Sequence, residues 1–383
     1  MALGRTRSCV DILLRYGPVK GLLRGFLQTD FMTCREGAKR HLLSEDVVKL
    51  QDFQRRKLVV AHQMSGSKSN FFEAFNKKLK KNELILQDEL KMLLHLCQSA
   101  EDMDTARCAI YRYHEENANT AFGEFKFGPL FMRLCFELGQ EEMAASTLTD
   151  QNLRGFFCDS TSFNIAVDML FTKGLYQSAL DVLRDMKKQG VQSNKDTFTL
   201  EAATCYKLNT PESFKICSAL MDEAQGRGSV LPRHAYSFTV ALALRQNDVP
   251  NAQRFFNLIM SAESRICQNL KVLILAMAGD MKECLDVLTF AISSSSPAFI
   301  KKPEFAQEVV DLARLRSKDS PLMASVEQVL SSLQQSGQVT QESLDQMLCH
   351  TPVGRKGMST RLMEDRKISR RTLRPLQSTL LSE

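Results

Sequence analysis

Tryptophan is absent from the 383 residues, and only 10 prolines and 18 glycines occur. So few breakers exclude long disordered tracts. No run of about 18 apolar residues exists; the longest apolar stretches lie near Val240 and Val272, and no membrane-spanning helix is expected. The eleven cysteines never come closer than eleven residues apart, which excludes the short ligand spacing of zinc knuckles. They read as small buried thiols in a reducing compartment. Enzyme signatures are missing too. Gly66-Ser67-Lys68-Ser69 has a phosphate-loop look but lacks the upstream glycine and strand, and His114-Glu115-Glu116 has no C-x-x-C partner. Neither H-E-x-x-H nor G-x-S-x-G occurs, and the six histidines are dispersed. No catalytic residue, metal or cofactor is expected.

What is present is an ordinary globular composition, 44% hydrophobic and 25% charged, with its charge unevenly placed. Residues 1–40, 41–81 and 351–383 each carry a net +5, so the overall +6 leaves −9 on residues 82–350. The first 40 residues interleave Leu13, Leu14, Leu22, Leu23, Phe26 and Leu27 with Arg15, Lys20 and Arg24, against three acids. That amphipathic, arginine-rich, acid-poor pattern is what a mitochondrial import leader requires. Without such a leader the chain would be close to neutral. Residues 351–383 hold eight Lys/Arg and no sustained apolar stripe, which reads as a flexible basic tail.

The middle of the chain is periodic. Phe163, Ile165, Ala166, Met169 and Leu170 share one stripe of a helix that Gly174 ends. Tyr176, Ala179, Leu180, Leu183 and Met186 form a second stripe, with Lys187 and Lys188 in its last turn and Gly190 as its stop. Thirty-five residues after Phe163 the pattern restarts at Phe198; Phe127 and Tyr236 mark further copies. Ala179 and Ala252 each lie sixteen residues after their aromatic, Phe163 and Tyr236. Two short helices, a glycine and a fixed restart point to an all-α array of stacked helix pairs.

The residues Phe163-Asn164, Gly174, Ala179–Met186 and Gly190 resemble a pentatricopeptide repeat, whose period is 35. The resemblance implies a right-handed superhelical α-solenoid of paired antiparallel helices that binds single-stranded RNA in an organelle. In that family one residue just after the helix-opening aromatic, and one four before the next aromatic, read a base together. Carried over, these are Asn164 and Asn194, with Thr199, Ser237 and Asn269 as further first-position candidates. At the second position Pro232 and Asp159 depart from the pattern, so no target sequence can be spelled out. A helix-terminal polar residue bonded to local backbone is the plainer account of Asn164 and Thr199.

The expected layout is a leader over 1–40, a basic helical segment over 41–81, a repeat array over 82–292 whose best repeat is 159–194, capping helices over 293–350, and the tail. Arg55, Arg56, Lys57, Lys77, Lys78, Lys80 and Lys81, beside Phe72 and Phe75, are the candidate phosphate contacts. At about 1–3 kcal/mol per base, a few imperfect repeats fall short of the ~8.2 kcal/mol of micromolar binding, so phosphate contacts or a protein partner must add to them. The implied role is maturation, processing or stabilisation of mitochondrial transcripts in the matrix, with RNA-processing proteins as partners and respiratory-chain function downstream. The rival from another class is a protein-binding helical-repeat adaptor in mitochondria without RNA contact, which the acidic body favours.

Overall fold

The computed structural model describes residues 41–117, 125–229, 231–293 and 302–352. The expected leader, residues 294–301 at the start of the expected capping region and nearly all of the basic tail lie outside the described residues. Among those residues the fold is a helical solenoid. Seven helix pairs follow one another: α4 (Gln87–Leu96) with α5 (Ala100–Asn117), α6 (Gly128–Leu138) with α7 (Glu141–Thr149), and α8 (Ser160–Lys173) with α9 (Tyr176–Lys188). Then come α10 (Lys195–Leu208) with α11 (Pro211–Gly226), α12 (Arg233–Arg245) with α13 (Val249–Asn257), and α14 (Arg265–Ala278) with α15 (Met281–Ser293). The last pair is α16 (Gln307–Ser317) with α17 (Met323–Gln335). First helices pack on first helices along the row, as α8 does on α6 and α12 on α10.

The stops work through local backbone geometry. Gly174 takes φ +82°, and the amides of Gly174 and Leu175 bond back to Phe171 O and Leu170 O. A side chain there would collide with its own backbone in the left-handed region, so glycine is the natural residue. Starts are equally local. Asp159, Asn194 and Thr210 cap α8, α10 and α11, each accepting from the amide three residues on. Pro211 occupies the first turn of α11, where a missing N–H costs nothing.

Before the array come α1 (Glu45–Val48), α2 (Leu50–Gln63) and α3 (Lys68–Lys80). The apolar spacing of 44–64 reads as one helix, but the chain breaks at Lys49, whose φ is +53°. A long-range contact meets the break. Arg133 Nε of α6 donates to Val48 O at 2.6 Å, taking the carbonyl that a continuing helix would give to Asp52. At the other end, α16 stacks on α14 and α17 on α15, so helices expected only to cap the array extend it by a pair. A short parallel bridge, β1 (Phe305–Ala306) against β2 (Val339–Thr340), then leads to α18 (Leu344–Leu348).

Burial separates the two layers. Second helices bury one stripe, as α13 does with Ala252, Phe255 and Phe256. The central first helices are covered all round: every residue from Ser162 to Phe171 of α8 and from Ala235 to Leu244 of α12 is buried. An α-helix flanked by neighbours on three sides still has a fourth face, and full burial requires something on it.

Candidate nucleic-acid interface

Asn164 and Asn194 do come together. Asn164 Nδ2 donates to Asn194 Oδ1 at 3.1 Å, and Thr197 Oγ1 donates to Asn164 Oδ1 at 2.8 Å. Asn194 Nδ2 in turn donates to Ser160 Oγ at 3.0 Å, while its Oδ1 accepts the Thr197 amide at 2.9 Å. Asn194 is exposed, but Asn164 is fully buried. The pair therefore ties the start of α8 to the start of α10. Meeting a base would require Asn164 to exchange these partners. Asn164→Ala leaves the Asn194 and Thr197 groups short of a partner, an expected cost of ~1–3 kcal/mol in a denaturation midpoint. Stability unchanged within ~0.5 kcal/mol would show that surface water replaces the amide freely.

The other first-position candidates differ. Thr199 Oγ1 bonds back to Lys195 O at 3.1 Å and Ser237 Oγ to Arg233 O at 3.0 Å, and both are buried. Both also line a cavity of about 460 Å³ beside Leu42, Leu43, Met347 and His350. Asn269 is fully committed: its Nδ2 donates to Arg265 O and Glu304 O, each at 2.8 Å, and its Oδ1 accepts the Ala306 amide at 2.8 Å. It pins β1 onto α14.

The candidate phosphate contacts split in two. Lys57 is buried against Glu137 at 3.1 Å, and Lys78 is held by Glu89 at 2.6 Å. Arg55, Arg56, Lys77 and Lys80 on α2 and α3, and Lys81 just past α3, are exposed, with only loose pairs from Arg55 to Asp52 (3.7 Å) and Lys81 to Glu83 (3.9 Å). Five exposed cations thus remain at this end of the array.

Sequence reasoning missed a second set of charges, on the face of the first helices that their partners leave free. Asp168 of α8 is fully buried, accepting the Leu42 amide at 2.7 Å and facing His41 Nδ1 at 2.9 Å. Lys207 of α10 and Arg245 of α12 share the Asp345 carboxylate, at 2.7 and 3.5 Å. Burial opposes the Lys207 charge, but Cys349 and Asp345 beside it win, and its pKa lies above the ordinary lysine value. Arg265 of α14 meets Glu304 and Glu342 at 2.8 and 2.7 Å. His234 Nε2 donates to Leu348 O at 2.6 Å; burial lowers its pKa, so it is neutral at pH 7. The available signal was a charge inside an apolar run: Asp168 interrupts Ile165–Leu170, and Lys207 and Arg245 each lie nine residues after their aromatic, Phe198 and Tyr236.

Stacked antiparallel helix pairs at a near-35-residue period, the most regular of them closed by Gly174 and tied to the next pair through Asn164, define a helical-repeat protein of the pentatricopeptide class. The chain belongs to the family of mitochondrial pentatricopeptide repeat-containing protein 2. It is 52% identical over 383 residues to the Danio rerio protein so named, covering all of both chains, and 49% identical over 351 residues to that of Homo sapiens, covering 91% of this chain and 90% of the other. A family model described as mitochondrial 28S ribosomal protein S27 matches residues 20–224. Among solved structures, the pentatricopeptide repeat protein PPR10 in complex with an 18-nt psaJ RNA element aligns at a TM-score of 0.36 and 14% identity. That alignment covers 83% of this chain and 53% of PPR10, so the chain spans about half the length of that protein. No helix among the described residues is long and apolar enough to cross a membrane.

Proposed function

We propose that the protein binds single-stranded RNA in the mitochondrial matrix and assists maturation, processing or stability of mitochondrial transcripts, without catalysing a reaction itself. Respiratory-chain function depends on it through those transcripts. The observation that carries this reading is the meeting of Asn164 and Asn194: two amides thirty residues apart, placed at the same junction between successive first helices. An amide both donates and accepts, which is what a base edge requires. Thr199 and Ser237 take the equivalent place on α10 and α12 and face a cavity. Arg55, Arg56, Lys77, Lys80 and Lys81 supply phosphate contacts, making affinity strongly salt-dependent.

A second reading, the protein-binding adaptor, is favoured by the full burial of Asn164 and by the −9 charge of residues 82–350. RNA crosslinking in intact mitochondria separates the two. Nucleotide adducts on peptides containing Asn164, Thr199 or Ser237 are expected. Adducts confined to the tail, or none, would reject base reading in favour of the adaptor.

A further inference from the structure

The face of the first-helix layer that the second helices leave free is covered by two segments flanking the array, residues 41–63 on one side and 339–352 on the other. From the N-terminal side, α2 packs across α4 and α6, the His41 ring lies 4.8 Å from Phe136 of α6, and His41 and Leu42 end on Asp168 of α8. From the other side, residues 339–352 run across α14, α12 and α10. Glu342 reaches Arg265, Leu348 O reaches His234, and Asp345 reaches both Arg245 and Lys207. The two arms meet where Thr351 Oγ1 donates to His41 O.

The C-terminal arm has little apolar anchorage in its helix. Its helix α18 has five residues, and only Met347 and Leu348 of it are buried. Carboxylates of Asp345 and Glu342 sit on three cations drawn from three successive first helices, and the Leu344 amide donates to Glu308 of α16 at 2.5 Å. Those cations suit the same chemistry in another source, because a phosphate oxygen offers arginine and lysine the geometry a carboxylate does. The arm also roofs the cavity onto which Thr199 and Ser237 open, through Met347 and His350.

Resting on the RNA reading above, we propose that Lys207, Arg245 and Arg265 form a phosphate-binding track along α10, α12 and α14, which the acidic arm 339–352 occupies in the free protein. RNA binds by displacing the arm, exchanging carboxylates for backbone phosphates and opening the way to Thr199 and Ser237. The arm is thus an internal competitor. A protein whose open state is populated only in part binds with its intrinsic affinity reduced by that fraction, so weakening the arm tightens binding.

The test uses the full chain and a fluorescein-labelled 20-nucleotide oligouridylate, with oligocytidylate in parallel, read by anisotropy at fixed salt. Asp345→Asn with Glu342→Gln removes the competing charge at constant size and is expected to tighten binding at least tenfold. Adding Lys207→Gln and Arg245→Gln should abolish that gain. On the unmodified chain, RNA should speed amide exchange over residues 344–352 and slow it at the starts of α10 and α12. Wild-type and charge-removed chains binding equally, a gain that survives Lys207→Gln and Arg245→Gln, or RNA that protects 344–352, would each overturn the arm while leaving RNA binding standing. No binding by any variant would overturn the RNA reading and the arm together. If a variant melts early, the exchange pattern of the unmodified chain decides alone.

Discussion

Replacing Glu201 with glutamine is expected to stabilise the protein at pH 8 and to do so much less at pH 5. Glu201 sits in α10 with 6% of its surface exposed, and its Oε2 has no hydrogen-bond partner among the described residues. Burial, only partly offset by Lys187 and reinforced by Glu223, pushes its pKa up to about 7 from an ordinary 4.5. The folded chain therefore holds this proton more tightly than the unfolded chain. The stability it contributes is present in full below the unfolded pKa and falls as pH rises through the folded one. By pH 8 the loss is ~3 kcal/mol, from about 1.36 kcal/mol per pKa unit. Glutamine keeps the shape without the charge, so thermal melts should rise by about 5 °C at pH 8. At pH 5 the difference should shrink to less than ~1 kcal/mol. An equal shift at both pH values would show that the carboxylate is solvated in the folded state.

The second large effect is in the core beneath the arm. Phe238 of α12 is fully buried, its ring 5.5 Å from Tyr206 and stacked 4.7 Å from His234, the residue that holds Leu348 O. Phe238→Ala removes a large side chain from a packed site and should cost ~3–5 kcal/mol by urea denaturation. Because each unit of a helical array contacts only its neighbours, the damage should concentrate in α10–α12 and in the arm. Hydrogen exchange should thus accelerate at residues 344–352 before it does in α6 or α16. A loss below ~1 kcal/mol would mean that neighbouring side chains collapse into the space.

Helix pairs, glycine stops and the restarts at Phe127, Phe163, Phe198 and Tyr236 were legible in sequence, because each reflects a spacing of three or four residues or the φ of one residue. The meeting of Asn164 with Asn194 was legible only through the family resemblance. The break at Lys49 was not legible, since the competitor for Val48 O is Arg133, 85 residues away. Nor did periodicity identify α16 and α17 as a further pair, because they bury Val309, Val310, Leu312, Val326 and Leu330 without the aromatic and glycine that mark the others.

By itself, then, the sequence determined most of the helices, the repeat and the family resemblance, all of which are written in short-range patterns of apolar side chains and breakers. Tertiary structure alone decided what covers the remaining face of the first helices. That depends on contacts such as Leu42 with Asp168 and Lys207 with Asp345, separated by 126 and 138 residues. A buried acid within an apolar run shows that a partner must exist; only folding brings the partner to it, because the cost of burying a charge is met by whatever the chain carries there, near or far in sequence.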